Sequence, residues 1–272
     1  MAFDIATMAF PLFVPANRLD RLAKAVAARP DAIIIDLEDA VPPSEKDSAR
    51  DALTSALPLD ADVPLLVRVN AAGTPWNEAD LLTCRELPLA AIMVPKAEDP
   101  DLLTEAARAA NLAIVALIES ARGIANIDRI APIASRLAFG SVDYAADLGL
   151  RHSRQALLQA RSSIVLASRC ANLPAPLDGV TTATRDEALL RDDCDHAIEL
   201  GFGGKLLIHP AQLAPARRAF APTASEVDWA SKILDHAQTE RGAFQLDGEM
   251  IDAPVIARAR QIAARSGASP AA

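Results

Sequence analysis

The residues able to do chemistry stand at the ends of short apolar runs. AIIIDLED (32–39) closes on Asp36, Glu38 and Asp39, and PLLVRVN (64–70) carries Arg68 and Asn70. AIMVPK (91–96) ends in Lys96, AIVALIES (113–120) reaches Glu119, and RLAFGSVD (136–143) ends in Asp143. APLDGV (175–180) carries Asp178, and GKLLIHP (204–210) ends in His209. Glu38, Asp39, Glu119 and Asp143 cannot all stay ionised together unless a cation compensates them. Oxygen donors without paired His or Cys favour a hard ion, Mg²⁺ or else Mn²⁺. His152, His196, His209 and His236 have no paired spacing, which disfavours zinc. Arg68 lies inside an apolar strand, so its guanidinium is expected to face inward, where it could hold a carboxylate or a developing enolate oxygen. The plainer reading makes these charges mutual salt bridges, Arg68 with Asp36 or Glu38 among them. Their concentration at strand ends favours chemistry, because ionic clusters are costly.

Other motifs read as architecture. GFGGK (201–205) precedes a strand, so it is a helix C-cap and tight turn rather than a phosphate loop. His209 is either a substrate contact or a hydrogen-bonded structural residue. Trp76 in GTPWNEADL packs on the site or caps a helix.

Eight such runs, beginning with PLFVPA (11–16), alternate with Ala/Leu-rich amphipathic stretches at a period of ~28 residues. NRLDRLAKAVAAR sets Leu19, Leu22, Ala23 and Val26 at i, i+3, i+4, i+7 spacing, a helical face. SEKDSARDAL opens with a Ser44 cap ahead of Asp47. Near-continuous apolar strands are those covered on both faces. Eight βα units predict an α/β fold, a (β/α)8 TIM barrel over residues 1–221, with an open doubly wound sheet as the rival. Residues 222–272 predict a C-terminal helical arm: a helix with a Ser225 cap, an irregular stretch GAFQLDGEMID, and a second helix APVIARARQIAARSG. The arm is expected to pack on the barrel or on a neighbouring subunit.

The 272 residues are 51% hydrophobic but only 4% aromatic, so the core must be built from Ala, Leu, Ile and Val. That composition excludes a disordered chain. A net charge of −9 argues against nucleic-acid binding, while leaving room for a local cationic pocket. The longest apolar stretches, such as LAIVALI (112–118), are strand-sized, so no membrane span is expected. The N-terminus lacks a basic region and reads as the approach to a first strand rather than a signal peptide. Cys84, Cys170 and Cys194 match no disulfide or zinc spacing and imply reduced thiols in a cytoplasmic protein.

LFVPANR, IIIDLEDAVPPSEK, VRVN, TPW, VPKAE, LIESARGI, RLAFGSVDYAADLG, PAPLDGVTT, GFGGKLLIHPAQ and LDGEMIDAPVIARAR follow one another in family order. Together they resemble the citrate lyase β-subunit-like family of the HpcH/HpaI aldolase superfamily, in the group of malyl-CoA and citramalyl-CoA lyases. The resemblance spans residues 10–266. It implies a (β/α)8 barrel with a helical arm, assembled as homotrimers or hexamers. It implies Mg²⁺ held by Glu119 and Asp143, with Glu38 and Asp39 acting through water. Arg68 would contact the substrate carboxyl or carbonyl oxygen, and Asp252 would exchange a proton in a neighbouring subunit's site. Two departures stand out: Ala16 replaces a glycine common in relatives, and Val142 precedes Asp143 where some relatives carry a carboxylate.

The implied reaction is reversible cleavage of a 3-hydroxyacyl-CoA thioester to an acyl-CoA and an α-keto acid. Mg²⁺ would polarise the keto-acid carbonyl. Arg68 would stabilise the thioester enolate, and Asp252 would move the proton at the methyl carbon, a role compatible with capping the helix that follows it. Arg18, Arg21 and Lys96 are candidates for the CoA phosphates, and Asn70 and His209 for substrate contacts. The alternatives are a β subunit acting on a citryl thioester of an acyl carrier protein, an acyl-CoA thioesterase on the same scaffold, and a silent module that senses acyl-CoA.

Overall fold

A computed structural model describes residues 3–57, 62–238 and 242–266. Eight strands, β1 (Pro11–Pro15), β2 (Ala32–Asp36), β3 (Leu65–Arg68), β4 (Ala91–Val94), β5 (Ala113–Ile118), β6 (Arg136–Phe139), β7 (Leu177–Asp178) and β8 (Gly204–Lys205), form one parallel sheet in sequence order. Backbone hydrogen bonds close the ring: Lys205 N donates to Ala9 O (2.8 Å), Phe13 N to Leu207 O (2.8 Å) and Leu207 N to Pro11 O (3.0 Å). Gly204 permits that seam, since a Cβ there would lie 2.0 Å from the Ala9 carbonyl oxygen. The expected (β/α)8 TIM barrel is therefore the observed fold. The strands are shorter than the apolar runs suggested. β7 and β8 shrink to two residues each, and the charged groups of the L-E-D and F-G-S-V-D segments lie just beyond the strands.

Side chains alternate across a strand. Ile34, Leu66, Met93, Leu117, Ala138, Leu177 and Leu206 gather into one buried core. Asp36, Arg68, Glu119, Gly140 and Ile208 stand two residues further along their chains. The same alternation therefore stacks them as the next layer, toward the C-terminal ends of the strands. At the other end Arg136, 1% exposed, donates to the carbonyls of Ala175, Ile5 and Met8 and plugs the barrel floor.

Two local expectations in this part of the chain are corrected. Ser44 does not cap a helix: Pro43–Glu45 forms a 3₁₀ turn and the helix Lys46–Ala56 starts without a side-chain cap. The expected first helix is a 3₁₀ turn, Ala16–Arg21, followed by a short helix, Leu22–Ala27. GFGGK behaves as read, with Gly201 (φ +95°) ending the helix Glu187–Leu200.

The chain forms two compact units, residues 1–216 and 217–272. In the second, Thr223 rather than Ser225 caps the helix Ala224–Ala237. Its hydroxyl accepts from Glu226 N (3.2 Å), and Glu226 Oε2 accepts from Thr223 N (2.8 Å). The stretch expected to be irregular is a hairpin of β9 (Phe244–Leu246) and β10 (Glu249–Ile251), turned by Asp247 and Gly248, both at positive φ. Ile233, Ile251, Ala259 and Ile262 bury this unit's own small core. Among the described residues no helix is long and apolar enough to cross a membrane.

Candidate active site

A cavity of about 780 Å³ opens at the C-terminal ends of the strands, where barrel enzymes carry their chemistry. Arg68, Asp36, Asp39, Glu119, Asp143 and His209 all line it. Arg68 is held from behind. Its Nε and Nη2 donate to the two oxygens of Asp36 at 2.7 and 2.6 Å, a fork-on-fork pair that fixes the guanidinium plane. Its Nη1 lies 3.1 Å from Glu38 Oε2, and its Cζ stands 5.1 Å from the centroid of the Phe13 ring. These partners raise the Arg68 pKa further, so the guanidinium stays charged although burial opposes it. Arg68 lines the cavity and makes the ion pairs expected of it with Asp36 and Glu38.

Glu119 follows β5 and is 2% exposed. Its Oε1 accepts from Lys96 N at 2.8 Å, and its Oε2 has no hydrogen-bond partner among the described residues. Burial, then the neighbouring Glu38 carboxylate, push its pKa up to about 8; Asp143 adds to the rise, and Lys96 N and Arg68 oppose it. Gly140 makes room for this carboxylate, because a Cβ there would sit 2.3 Å from Oε2. A buried carboxylate with one unused oxygen facing a second carboxylate calls for a proton or a cation. Magnesium is commonly bound through one or two protein carboxylates and otherwise through water and substrate oxygens, so Glu119 and Asp143 fit it. No group of three or more His, Cys, Asp or Glu close enough to form a cage occurs among the described residues.

Glu38 is 4% exposed and bridges Lys96 Nζ (2.5 Å) and Arg68 Nη1. Burial raises its pKa, against the pull of Arg68 and Lys96. Asp39 is over half exposed on the cavity rim, 3.8 Å from Arg68 Nη1. Lys96 sits at φ +46°, a left-handed conformation that aims its amide at Glu119 while its ammonium reaches Glu38.

Other expected contacts are placed differently. Arg18 pairs with Asp20 at 3.0 Å on the surface and does not line the cavity, whereas Arg21 and Lys24 do. Asn70 is 2% exposed and fully engaged: Oδ1 accepts from Lys46 Nζ, Nδ2 donates to Asp80, and its carbonyl accepts from Asn77. These bonds tie Asn70 to the helices behind the site. His209 lines the cavity and caps the turn Pro210–Gln212, its Nδ1 accepting from Ala211 N at 3.1 Å, which is the hydrogen-bonded structural arrangement. Asp252 accepts from Val255 N at 3.3 Å, as an N-cap of the helix Ala253–Ser266 would. Sequence reasoning left Asp36 as one possible partner of Arg68 and missed Lys46 and Asp80. Period-2 spacing from Ile34 would have placed Asp36 in the cavity layer.

The HpcH/HpaI aldolase/citrate lyase family model matches residues 9–210. A citrate lyase subunit beta-like protein of Deinococcus radiodurans is 38% identical over 274 residues, covering 92% of this chain and 94% of the relative. A (3S)-malyl-CoA thioesterase of Cereibacter sphaeroides is 37% identical over 269 residues, covering 94% of each. Among solved structures, CitE of Mycobacterium tuberculosis in complex with magnesium, acetoacetate and coenzyme A superposes with a TM-score of 0.86. It is 35% identical, over 96% of this chain and 99% of that one.

Proposed function

The chain belongs to the HpcH/HpaI aldolase/citrate lyase family, and from that premise we propose that it is a Mg²⁺-dependent carbon–carbon lyase. It reversibly cleaves a 3-hydroxyacyl-CoA thioester of the malyl-CoA or citramalyl-CoA type to an acyl-CoA and an α-keto acid. The observation that carries this reading is Glu119 Oε2, buried and without a partner, beside Asp143 in the cavity that Arg68 enters. Glu119 and Asp143 would hold the ion, which when bound supplies Lewis-acid polarisation of the keto-acid carbonyl. The CitE complex with magnesium, acetoacetate and coenzyme A supports the same ligand class, as does a second M. tuberculosis citrate lyase beta subunit structure with oxaloacetate and magnesium.

In this reading Arg68, immobilised by Asp36, meets the enolate oxygen of the departing acyl thioester with no reorganisation at the moment of bond cleavage. Glu38 and Lys96 keep Arg68 and Glu119 in register. Arg21 and Lys24 serve the CoA phosphates in place of Arg18. Asp252 of a neighbouring copy in a homotrimer or hexamer exchanges the proton at the acyl carbon. Thioester hydrolysis is the second reading, favoured by the Cereibacter relative's printed activity.

The deciding assay supplies malyl-CoA and citramalyl-CoA with and without EDTA and follows α-keto acid and free thiol separately. The lyase reading expects keto acid without free thiol, lost on chelation and in Glu119→Gln and Asp143→Asn. Full turnover in either variant refutes the metal assignment, and thiol without keto acid selects hydrolysis.

A further inference from the structure

Lys46 opens the helix Lys46–Ala56 and is 6% exposed. Both facts are unfavourable for a lysine. The positive end of the helix dipole repels it, and lysines are rarely buried unless paired. Its ammonium donates to three oxygens: the carbonyls of Leu37 (2.9 Å) and Glu38 (2.8 Å), and Oδ1 of Asn70 (2.6 Å). The Trp76 ring lies 5.2 Å away. None of these groups is anionic, so a counter-charge must stand close by. The buried carboxylate that these bonds reach, one residue further on, is Asp80, which is 0% exposed. Asn70 donates to Asp80 Oδ2 through Nδ2 (2.7 Å) and N (2.9 Å), and Arg50 donates to Oδ1 (3.2 Å).

This relay ends on the backbone of the segment after β2. Lys46 takes that segment's carbonyls, while Asp36 takes its amides, Glu38 N at 2.9 Å and Ala40 N at 3.2 Å. Residues 37–40 are thus gripped from both sides, and the same Asp36 fixes Arg68. Glu38, whose carbonyl Lys46 holds, is also the residue whose carboxylate bridges Lys96 and Arg68.

We propose that Lys46 is a positioning residue of the reaction centre: balanced by Asp80 through Asn70, it sets the Glu38 backbone and so the carboxylate that aligns Arg68 and Lys96. This deepens the lyase reading, on which its kinetic consequence rests.

The test is a double-mutant cycle of Lys46→Met and Glu38→Gln, joined to hydrogen exchange. Lys46→Met is expected to lower kcat by about tenfold or more with KM changed by less than about threefold. In the Glu38→Gln background the same change is expected to cost less than about threefold, because its route is already cut. Exchange at the Glu38 and Ala40 amides should speed up by about tenfold or more while β4 and β5 stay protected. Asn70→Ala, which breaks the Lys46–Asp80 link and keeps the lysine, should reproduce the pattern if Lys46→Met folds poorly. Equal kcat losses in both backgrounds would mark independent structural damage and overturn the proposal, as would unchanged exchange at the two amides. A wild-type protein inactive on every thioester refutes the lyase reading, and the exchange experiment then decides the positioning by itself.

Discussion

Glu119 and Gly140 form a matched pair. The carboxylate occupies the space a β-carbon would take, 2.3 Å from Oε2 and 2.5 Å from the glutamate's own Cβ. Gly140→Ala therefore cannot be absorbed by a small rotation. The side chain must leave its hydrogen bond to Lys96 N or the backbone after β6 must shift, at a cost of about 1–3 kcal/mol. Either response misaims the orphan oxygen. Magnesium affinity, measured by titration calorimetry, is expected to fall by about 10–100-fold with the far-ultraviolet circular dichroism unchanged. Undiminished affinity would show that Glu119 is not held where the ion binds. The charged residues of this site are legible in the sequence because ionisable groups at the ends of apolar runs are rare. Their division of labour is less so. Asn70 reads as a substrate contact, and the partners that hold it, Lys46 and Asp80, are 24 and 10 residues away along the chain. No periodicity encodes such a contact.

Strands announce themselves by unbroken apolar runs, and the barrel follows from eight of them. Their exact ends do not, because pairing stops where the neighbouring strand stops. β7 and β8 are two residues each, although the runs that contain them are longer. The hairpin at 244–251 had a readable signal, Asp-Gly between alternating residues, which supplies the two positive-φ positions of a tight turn. Thr223 was readable too, since a glutamate stands three residues after it. The residues that make the closing seam were not readable, because the seam depends on Gly204 passing against the Ala9 carbonyl between opposite ends of the barrel sequence. Gly204→Ala places a β-carbon 2.0 Å from backbone that the β1–β8 seam cannot move freely. Destabilisation of about 3 kcal/mol is expected, read as a lower urea midpoint, with exchange protection lost first at Lys205 and Leu207. A variant as stable as the parent would mean that the seam contributes little to the barrel.

The folded protein as a whole should register the orphan carboxylate through its pH dependence. Glu119 is raised from an ordinary 4.5 to about 8, and Glu38 shifts in the same direction. Between those pH values the folded chain holds more protons than the unfolded one, so stability of the metal-free protein falls as pH rises from about 4.5 to about 8. His152, its pKa lowered by burial, opposes this trend below its ordinary 6.5, and Asp178 also has the opposite sign. Lys205 and Arg161 outweigh its burial and lower its pKa, so its contribution is lost only on acidification below about pH 4, outside this window. On the proposed reading Mg²⁺ held by Glu119 would oppose this trend: it would displace the carboxyl proton below about pH 8, and so should bind more tightly as pH rises toward that value. Saturating Mg²⁺, at about 100 times its Kd, adds roughly 2.7 kcal/mol by mass action. Melting curves in EDTA are expected to show Tm declining from about pH 5 to about pH 8, and Glu119→Gln, which carries no charge to bury, should flatten that decline and abolish the Mg²⁺ response. If metal-free Tm instead climbs across this interval, or the glutamine variant keeps both the slope and the response, Glu119 is neither the strained group nor a ligand.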